Sequence, residues 1–455
     1  MNLKLSDICQ MCNGKLSNGS NHDLIIMNTV IDSRLIVDNT LFIAIKGENN
    51  DGHAYVTQAL ANSMAAAIVN KECELDIPNL IYVDDTVLAL GLIAEKYRKI
   101  FNIPVIAITG SNGKTTVKEM LKSICTNKFG KDHILATSGN LNNHLGVPLT
   151  LLEITDNHQV AIIEMGMNHS GELDYLSKMA SPTVAVVNNV MLAHAGFFNG
   201  LTDIARAKGE IYNGLISSGT AYINVDIPEH LIWLPELEEK NVNCIKYGDE
   251  NSNYYLKSDA DKEATNKFVI STPDGDVNII LQILGEHNQK NALTACVLAL
   301  QIGCSLNDIK CGLESYEGYK GRLEKKKAFN GALIIDDSYN ANPDSVKAAI
   351  NAISNLPRPH WFIFADLKEL GKFEVNSHED IGKYAANNGI DLLITYGNLA
   401  QMAAGKFTGQ SLSFDKMEDM VKYCLKNLPS TGTLLVKGSN SMKLTNVVKE
   451  LINHK

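Results

Sequence analysis

Residues 103–116 read IPVIAITGSNGKTT, and this stretch decides how the rest of the chain is arranged. The apolar, partly β-branched residues up to Ile108 predict a buried strand, and apolar residues at helical spacing over 117–125 predict a helix behind it. Between them, Gly110 and Gly113 permit a tight turn whose backbone N–H groups and helix N-terminus face an anion. A strand, a glycine loop and a helix in this order predict a site for nucleotide phosphates.

The loop also carries side chains that suit a nucleotide triphosphate with its metal. Lys114 adds a mobile positive charge, and the hydroxyl of Thr115 or Thr116 can reach a Mg²⁺ ion. The spacing is G-x-x-G-K-T instead of the usual P-loop spacing, since Ile108 stands five residues before Gly113. An ordinary strand-to-helix turn with a solvated lysine is the alternative, and the flanking strand and helix argue against it. The loop residues predicted to bind the nucleotide phosphates are Gly110, Ser111, Asn112, Gly113, Lys114, Thr115 and Thr116.

Composition predicts a protein of the cytoplasm that does not depend on nucleic acid or a membrane. The net charge of −10 argues against sequence-independent binding to nucleic acid, which needs clustered Lys and Arg. No stretch approaches about 18 uninterrupted apolar residues, so no membrane span is expected, and the first residues do not resemble a signal peptide. Nine scattered cysteines fit a reducing compartment, and we interpret the isolated Cys9-x-x-Cys12 pair as structural.

Alternating strands and helices predict an α/β protein with a mostly parallel central sheet. At 455 residues the length favours about three domains. We place them at residues 1–98, 99–317 and 318–455. Residues 228–276 are polar, and we expect an irregular elaboration there.

The last unit has the pattern of a second parallel sheet. Buried strands expected at 361–364, 392–395 and 433–436 alternate with helical segments. One of these helices is expected to begin at Asn342, a good N-cap residue, followed by Pro343 at the permitted first helical position.

Polar residues follow two further predicted strands of the central unit. Glu164 follows the strand at 160–163, and His194 lies just beyond the strand at 183–187. Ligands of parallel sheets sit at the carboxyl ends of the strands, so we expect both residues to join the phosphate loop at one crevice. Glu164 with Thr115 would make a sound pair of Mg²⁺ ligands, whereas a histidine is an unusual ligand for that ion.

Two features admit more than one interpretation on the residues alone. Lys208 lies on an alanine-lined face of a predicted helix, where an ammonium would repel a metal, and a solvated lysine is the simpler interpretation. Ser33 and Arg34 could hold a phosphate or a uracil edge, or they could cap a strand.

Nine tracts, in order over nearly the whole chain, resemble the Mur ligase family. They are ITGSNGKTT, ATSGNLNNHLGVPLTLL, AIIEMGMNHSGE, NVMLAHAGFF, IARAKGEIY, GEHNQKNALTA, GRLE, IIDDSYNANPDSV and VKGSNSMKL. The segments DSYNANPDS and ELG are similar to those of the members that join D-alanyl-D-alanine to a UDP-N-acetylmuramoyl-tripeptide. The resemblance therefore implies a cytoplasmic, monomeric ATP-dependent amide ligase of peptidoglycan synthesis. Its domains would be a UDP-substrate domain, a central P-loop ATPase domain and a C-terminal Rossmann-like domain.

The resemblance also implies roles for residues that physics alone leaves open. Lys208 matches a lysine that the family carbamylates with CO₂, which converts a cation into an anion able to hold a second Mg²⁺. His194 matches a ligand of that same ion, and burial among alanines would lower the pKa of the Lys208 amine and expose its free base. The catalytic residues implied are Lys114, Glu164, His194 and Lys208, and the metal ligands are Thr115, Glu164, His194 and carbamylated Lys208. The further ATP-binding residues are Asn288, Asn291, Arg322, Asp337, Tyr339 and Asn340, and the UDP-substrate residues are Ser33, Arg34, Asp51, Gly52, His53, Thr137, Asn142 and Asn143.

The chain departs from the family pattern at a few positions, including the KGSR segment, and two rival functions can be weighed. The family's KGSR reads Lys437-Gly-Ser-Asn440 here. A ligase for a free diamino acid would be expected to carry an Arg in a D-N-P-R-like motif. The corresponding segment of this chain reads Asn-Ala-Asn-Pro-Asp344, with an aspartate in place of that arginine. A nucleotide-binding switch without ligase chemistry would not need Glu164, His194 and Lys208 together. Lysine and diaminopimelate remain equally compatible as the third residue of the tripeptide.

Overall fold

The computed structural model describes residues 1–61, 65–192, 195–257 and 266–454. Its strands and helices form three consecutive α/β groups, each built on its own sheet, as the sequence predicted. Within those ranges, no helix combines the length and the apolar character needed to cross a membrane.

The N-terminal group consists of β1 (Leu3–Lys4), α1 (Leu5–Met11), β2 (Lys15–Leu16), β3 (Ile25–Ile26), β4 (Asn28–Val30), β5 (Thr40–Ile43), α2 (Val56–Leu60), β6 (Ala66–Asn70), β7 (Leu80–Val83) and α3 (Thr86–Arg98). Its sheet has the strand order β2-β7-β6-β5-β4, parallel except for β2. The side chain of Asp85 caps α3 by accepting the N–H groups of Val87 and Leu88.

The central group continues with β8 (Val105–Thr109), α4 (Lys114–Phe129), β9 (Ile134–Ala136), α5 (Gly146–Leu151), β10 (Val160–Glu164), α6 (Glu172–Ala180), β11 (Val184–Val187), α7 (Leu201–Gly209), β12 (Thr220–Asn224), α8 (His230–Glu239), β13 (Asn243–Tyr247), β14 (Tyr255–Lys257), β15 (Lys267–Thr272), β16 (Gly275–Ile280), α9 (Glu286–Gln301) and α10 (Leu306–Glu314). The main sheet has the order β13-β12-β11-β8-β10-β9, and every pair in it is parallel.

The position of β8 in this order creates the crevice. All residues of β8 are buried, as expected of a strand covered by helices on both faces. The chain lays β9 and β10 on one side of β8 and then β11 to β13 on the other, so the strand order reverses at β8. Ligands bind parallel sheets at such a reversal. The carboxyl ends of β8, β10 and β11 are therefore neighbours, which confirms the expected convergence of these three strands.

The prediction of an irregular elaboration over 228–276 was wrong. Helix α8 buries Trp233, Leu234 and Leu237 along one face, and β13 extends the central sheet. Strand β15 alternates buried and partly exposed residues and pairs antiparallel with β14 and β16. A few apolar residues at the correct spacing are sufficient to bury one face, and a mostly polar composition concealed them.

The C-terminal group comprises β17 (Glu324–Lys327), β18 (Leu333–Asp337), α11 (Pro343–Ala352), β19 (His360–Ala365), α12 (Glu374–Asn387), β20 (Leu392–Tyr396), α13 (Ala400–Lys406), β21 (Gln410–Phe414), α14 (Met417–Asn427), β22 (Thr433–Lys437) and α15 (Thr445–Asn453). Its sheet, β17-β18-β22-β19-β20-β21, is parallel except at the edge strand β17. The Asn342 side chain caps α11 and Pro343 is its first residue, which confirms that predicted helix start.

The hydrophobic cores tie two of the groups together and leave the third separate. One buried cluster runs from Leu5 to Leu237, across the N-terminal and central sheets. Helix α3 belongs to it and packs on α1 as well as on α5 and α6. The two buried clusters of the C-terminal group draw their residues from 323–451. The C-terminal group therefore meets the phosphate loop mainly through the polar contacts described next, and the exact boundaries between domains stay a prediction.

Candidate active site

The phosphate loop adopts the conformation that its glycines permit. Gly110 has a φ of +151° and Gly113 a φ of +77°, and Gly113 is the N-cap of α4. The Lys114 ammonium folds back over the loop and donates to the carbonyl of Gly110 at 2.7 Å. Burial lowers the pKa of Lys114, opposed by the nearby Glu164 carboxylate. The loop therefore holds its cation above the N-terminus of α4, as a phosphate site requires.

A network of asparagines supports the loop from behind. The Asn188 amide donates to the Asn112 carbonyl at 3.1 Å and to the Asn291 side-chain oxygen at 2.9 Å. The Asn112 N–H donates to the side-chain oxygen of Asn189 at 2.8 Å. Asn288 completes the network by accepting from the Asn291 amide. The sequence pointed to Asn288 and Asn291 but not to Asn188 and Asn189. The signal was available, because Asn188 and Asn189 directly follow β11, just as Glu164 stands at the end of β10.

Glu164 meets Thr115 at the base of the crevice. The Thr115 hydroxyl donates to one Glu164 oxygen at 3.0 Å, and the Asn142 amide donates to the other at 2.9 Å. The Glu164 N–H donates to the hydroxyl of Thr137 at 2.9 Å. Because Glu164 is almost completely buried, these bonds hold its carboxylate in one orientation.

The donor set at Thr115 and Glu164 fits a magnesium ion. Mg²⁺ is usually held by one or two carboxylates together with substrate phosphates and water. In the described ranges no group of three His, Cys, Asp or Glu side chains could form a metal cage by itself. One carboxylate and one hydroxyl beside a phosphate loop is the arrangement expected when the nucleotide supplies further oxygen ligands.

Lys208 lies in α7 and is unusual for a lysine. Its residue surface is 2% exposed, and it follows the buried Ala205 and Ala207 along the helix. It forms no hydrogen bond or ion pair with the other described residues. Burial lowers the pKa of its amine well below the ordinary value, and the positive charge of Lys114 lowers it further. The alternative of a solvated helix lysine is therefore wrong for this chain. His194, the predicted partner of Lys208, lies outside the described residues.

The C-terminal group reaches the same point from the opposite side. Arg322 donates to the Thr115 hydroxyl at 3.2 Å, while its guanidinium carbon lies 4.5 Å from the centre of the Tyr339 ring. Its Nε is buried, with no hydrogen-bond partner among the described residues. Asp337 accepts from the buried Lys437 ammonium at 2.6 Å, in a pair that lines the cavity. Lys437 was not predicted as a site residue, although it belongs to the KGSN segment.

Two further contacts join the C-terminal group to the central group. The side-chain amides of Asn112 and Asn342 bond to each other in both directions, at 2.8 and 3.2 Å. The N–H of Gly196 donates to the carbonyl of Glu369 at 2.9 Å, with the backbone of Gly371 alongside. The phosphate loop is thus in direct contact with the start of α11, and the crevice is covered by the C-terminal group.

The cavity enclosed between these groups has a volume of about 700 Å³. It runs from the phosphate loop along the start of α9, past Asn288 and Asn291, to the C-terminal group at Asn340. His287 lines it as well, and burial lowers the pKa of its imidazole to about 4, so this ring is neutral near pH 7. His287 was quoted within the tract GEHNQKNALTA but was not predicted as a site residue. The cavity is large enough for a nucleotide.

Asn340 and Asn440 lie near the mouth of the cavity. Asn340 is exposed, and its carbonyl accepts from Lys437 at 3.1 Å. Asn440, at the position of the family arginine, donates to the Tyr339 carbonyl at 2.9 Å. A neutral amide therefore stands at the position of the arginine and is bonded to the backbone of Tyr339, whose ring contacts Arg322.

The residues predicted to bind the UDP substrate occur in two turns of the N-terminal group. The Asp32 carboxylate accepts both the N–H and the guanidinium of Arg34, whose side chain is 86% exposed. His53 is held by Asp51 on one ring nitrogen at 2.6 Å and accepts the Asn70 N–H on the other. Both turns adjoin α2, and the partly exposed Ser33 and Gly52 lie in them. Their role in substrate binding stays a prediction.

The other three predicted substrate residues have different surroundings. Thr137 is almost completely buried beneath Glu164, whereas Asn142 contacts that carboxylate directly. Asn143 is exposed, and its side-chain oxygen accepts the N–H groups of Leu145 and Gly146 at the start of α5. The structure thus brings Thr137 and Asn142 to Glu164 and leaves Asn143 at the surface.

Comparison with known proteins extends over the whole chain. The family model described as the Mur ligase middle domain matches residues 108–299, and the model described as the Mur ligase glutamate ligase domain matches residues 321–440. UDP-N-acetylmuramoyl-tripeptide--D-alanyl-D-alanine ligase of Haemophilus influenzae is 37% identical, covering 99% of this chain and 98% of the relative. The protein of the same name from Bacillus subtilis is 33% identical, with 98% of each chain covered.

Solved structures give the same result. The crystal structure of MurF from Acinetobacter baumannii matches with a TM-score of 0.90 at 34% identity, covering 99% of each chain. MurF ligase from Thermotoga maritima in complex with ADP matches with a TM-score of 0.81 at 26% identity, covering 93% of this chain and 96% of that one. With two family models and full-length relatives above 30% identity in agreement, the chain belongs to the Mur ligase family.

Proposed function

We propose that this chain is an ATP-dependent amide ligase that joins D-alanyl-D-alanine to UDP-N-acetylmuramoyl-tripeptide and forms ADP and phosphate. Its full-length curated relatives carry the name of this ligase. One observation in the site carries the proposal: Thr115 of the phosphate loop contacts both the Glu164 carboxylate and Arg322 of the C-terminal group. Such a site can neutralise a triphosphate while a second domain closes over it.

The first chemical step makes the tripeptide carboxylate reactive. An oxygen of its terminal carboxylate attacks the γ-phosphorus of ATP, and the bond to the ADP oxygen breaks with its electron pair leaving on ADP. Catalysis of phosphoryl transfer is mainly positioning and charge neutralisation. Lys114 supplies positive charge from the loop, and Arg322 supplies it from the C-terminal group. The product of this step is an acyl phosphate.

The second step forms the amide bond. The neutral amine of D-alanyl-D-alanine attacks the carbonyl carbon of the acyl phosphate, and a tetrahedral intermediate collapses with loss of phosphate and of the amine proton. Water would hydrolyse the acyl phosphate if it entered the site. The contacts of Asn342 with Asn112 and of Glu369 with Gly196 hold the C-terminal group over the crevice and would exclude water.

Metal binding in this proposal uses the donors described above. Thr115 and Glu164 would hold one Mg²⁺, and His194 with Lys208 as a carbamate would hold a second. When bound, Mg²⁺ offsets the negative charge of the phosphate oxygens. The carbamate forms when the neutral Lys208 amine attacks CO₂ and loses a proton. The buried amine with its lowered pKa favours this reaction, because only the free base is nucleophilic.

The remaining assignments concern the substrates and the setting. The UDP end of the substrate would lie on the N-terminal group, at Ser33, Arg34 and the turn 51–53, and the peptide end would pass Asn142 toward Glu164. The ligase is proposed to act in the cytoplasm as a monomer.

The decisive experiment is a coupled assay of ADP release. The purified protein is given ATP, Mg²⁺ and UDP-N-acetylmuramoyl-tripeptide, with and without D-alanyl-D-alanine. We expect sustained ADP release only when all substrates are present, with the UDP-pentapeptide as product. ADP release that is the same without D-alanyl-D-alanine would contradict the ligase proposal.

The carbamate is tested by chemical rescue. Lys208→Ala leaves room beside the metal site and removes the anion, so we expect very low activity. A short carboxylic acid such as acetate should restore part of it, incompletely because it lacks the tether. Arg206→Ala on the same helix, at an exposed position, is the matched control and should change little. A fully active Lys208→Ala protein, or an inactive but folded one that no carboxylic acid rescues, would contradict the carbamate.

A further inference from the structure

Lys118 is a completely buried lysine that the proposed chemistry does not use. It lies on α4, one turn beyond the phosphate loop. Lysines are almost never fully buried unless they are paired. Its ammonium lies 2.7 Å from the Glu119 carboxylate and donates to the carbonyl of Thr137 at 2.6 Å. These two contacts satisfy part of the hydrogen-bonding capacity of the ammonium, and their positions point to a role beyond packing.

The contact with Thr137 connects Lys118 to the predicted metal carboxylate. Thr137 is bonded at three points: its N–H donates to Ile162, its carbonyl accepts from Lys118, and its hydroxyl accepts the N–H of Glu164. The residue therefore cannot shift without disturbing the end of β10. Removal of the Lys118 ammonium would free one of the three points and loosen the backbone that presents the Glu164 carboxylate.

A second contact connects Lys118 to the C-terminal side of the site. Its Nζ lies 5.8 Å from the centre of the Tyr319 ring, within the range of a cation–π interaction. Tyr319 and Arg322 close a tight turn, in which the Arg322 N–H donates to the Tyr319 carbonyl at 3.0 Å. Arg322 in turn donates to Thr115. Thr115 and Lys118 are three residues apart on α4 and so lie on one face of the helix, and together they contact both ends of this turn.

We propose that Lys118 is a positioning residue that sets the Glu164 carboxylate through Thr137 and the Arg322 guanidinium through Tyr319. The proposal rests on the proposed ligase function only where kcat is measured. One ammonium beneath the site thereby links the position of the metal carboxylate to that of the C-terminal cation. Such supporting partners of a metal ligand contribute strongly to affinity, and their loss usually weakens metal binding by about tenfold to a hundredfold.

The simpler alternative is that Lys118 only satisfies the buried Thr137 carbonyl and Glu119. In that case its replacement lowers the stability of the fold and leaves the metal requirement of a folded protein unchanged. The two explanations therefore differ in the Mg²⁺ concentration that nucleotide binding requires, which is measured without the tripeptide or D-alanyl-D-alanine.

The test is calorimetric binding of a non-hydrolysable ATP analogue over a series of Mg²⁺ concentrations. Lys118→Met keeps the length and apolar stem of the side chain and removes its charge. We expect it to raise the Mg²⁺ concentration for half-maximal binding by about tenfold or more. Lys122→Met, one turn further along α4, is the matched control and should behave as the wild type. If Lys118→Met does not fold, Lys118→Arg gives the same measurement with the charge retained and the donor geometry changed.

The link from Lys118 through Tyr319 to Arg322 is tested by measuring turnover. Tyr319→Leu should leave the Mg²⁺ requirement near the wild-type value and lower kcat by about tenfold, because Arg322 loses its support. In the double variant Lys118→Met/Tyr319→Leu the fold loss in kcat should be smaller than the product of the two single losses, since both substitutions act through the Lys118 ammonium. A wild-type Mg²⁺ requirement in a folded Lys118 variant would overturn the proposal. So would fully multiplicative kcat losses. Failure of the ligase assay itself would leave the Mg²⁺ result intact and would count against the proposed function alone.

Discussion

Replacement of Gly113 by alanine provides a quantitative test of the phosphate loop. Gly113 is in the left-handed region, where an L-residue costs about 1 to 2 kcal/mol. A Cβ there would stand 2.4 Å from the side-chain oxygen of Asn291 and 2.8 Å from the amide nitrogen of Asn188. These two groups are bonded to each other, so the methyl group must separate them or move the loop. An unsatisfied buried donor costs about 1 to 3 kcal/mol, and the two effects together predict a loss of about 2 to 5 kcal/mol.

Gly171→Ala is the matched control for backbone strain. Gly171 is also a left-handed N-cap, with a φ of +89°, and a methyl group added there would meet no atom within 4 Å. It should therefore lose only the strain of about 1 to 2 kcal/mol. The difference in unfolding free energy between the two variants then measures the crowding at Asn188 and Asn291 alone.

The assays are chemical denaturation for stability and calorimetry for a non-hydrolysable ATP analogue. Movement of the Gly113 loop removes N–H groups from the phosphates, so Gly113→Ala should bind the analogue at least about tenfold more weakly, which corresponds to about 1.4 kcal/mol. Gly171→Ala should bind it normally. Equal losses of stability in the two variants, or wild-type affinity in Gly113→Ala, would refute the reasoning.

Three further predictions test other parts of the site. Lys114→Ala should fold normally by circular dichroism and release ADP at least about a hundredfold more slowly, because the loop loses its cation; near-normal turnover would rule out this role. Combined Ser33→Ala and Arg34→Ala should raise KM for the UDP substrate about tenfold and leave KM for ATP unchanged, as expected when a charged hydrogen bond is lost; an unchanged KM for the UDP substrate would make these residues structural. Gly196→Ala inserts a methyl group 3.2 Å from the Glu369 carbonyl and should lower kcat by about threefold while ATP-analogue affinity is kept, with an unchanged kcat counting against a role of this contact in closure.

The sequence by itself determined the local parts of the site. The alternation of apolar strands and helices specified α/β groups with mainly parallel sheets in the central and C-terminal units, and the GSNGKT loop specified a phosphate site, because both depend on residues close together in the chain. The neighbourhood of Glu164 and Thr115 could also be predicted, since parallel strands all end at one edge of a sheet. The polar segment 228–276 could not be predicted correctly, because few residues carried its apolar pattern.

Only the tertiary structure decided how distant residues meet. The amide pair of Asn112 and Asn342 joins residues that are 230 positions apart, and no spacing in the sequence encodes it. The burial of Lys118 and Lys208 likewise depends on which elements pack above α4 and α7, since the same side chains on an uncovered helix would be solvated. For Lys208, this burial determines what the amine can do, because desolvation lowers its pKa. The chemistry of these two lysines therefore follows from the packing of the whole chain and not from their immediate neighbours in sequence.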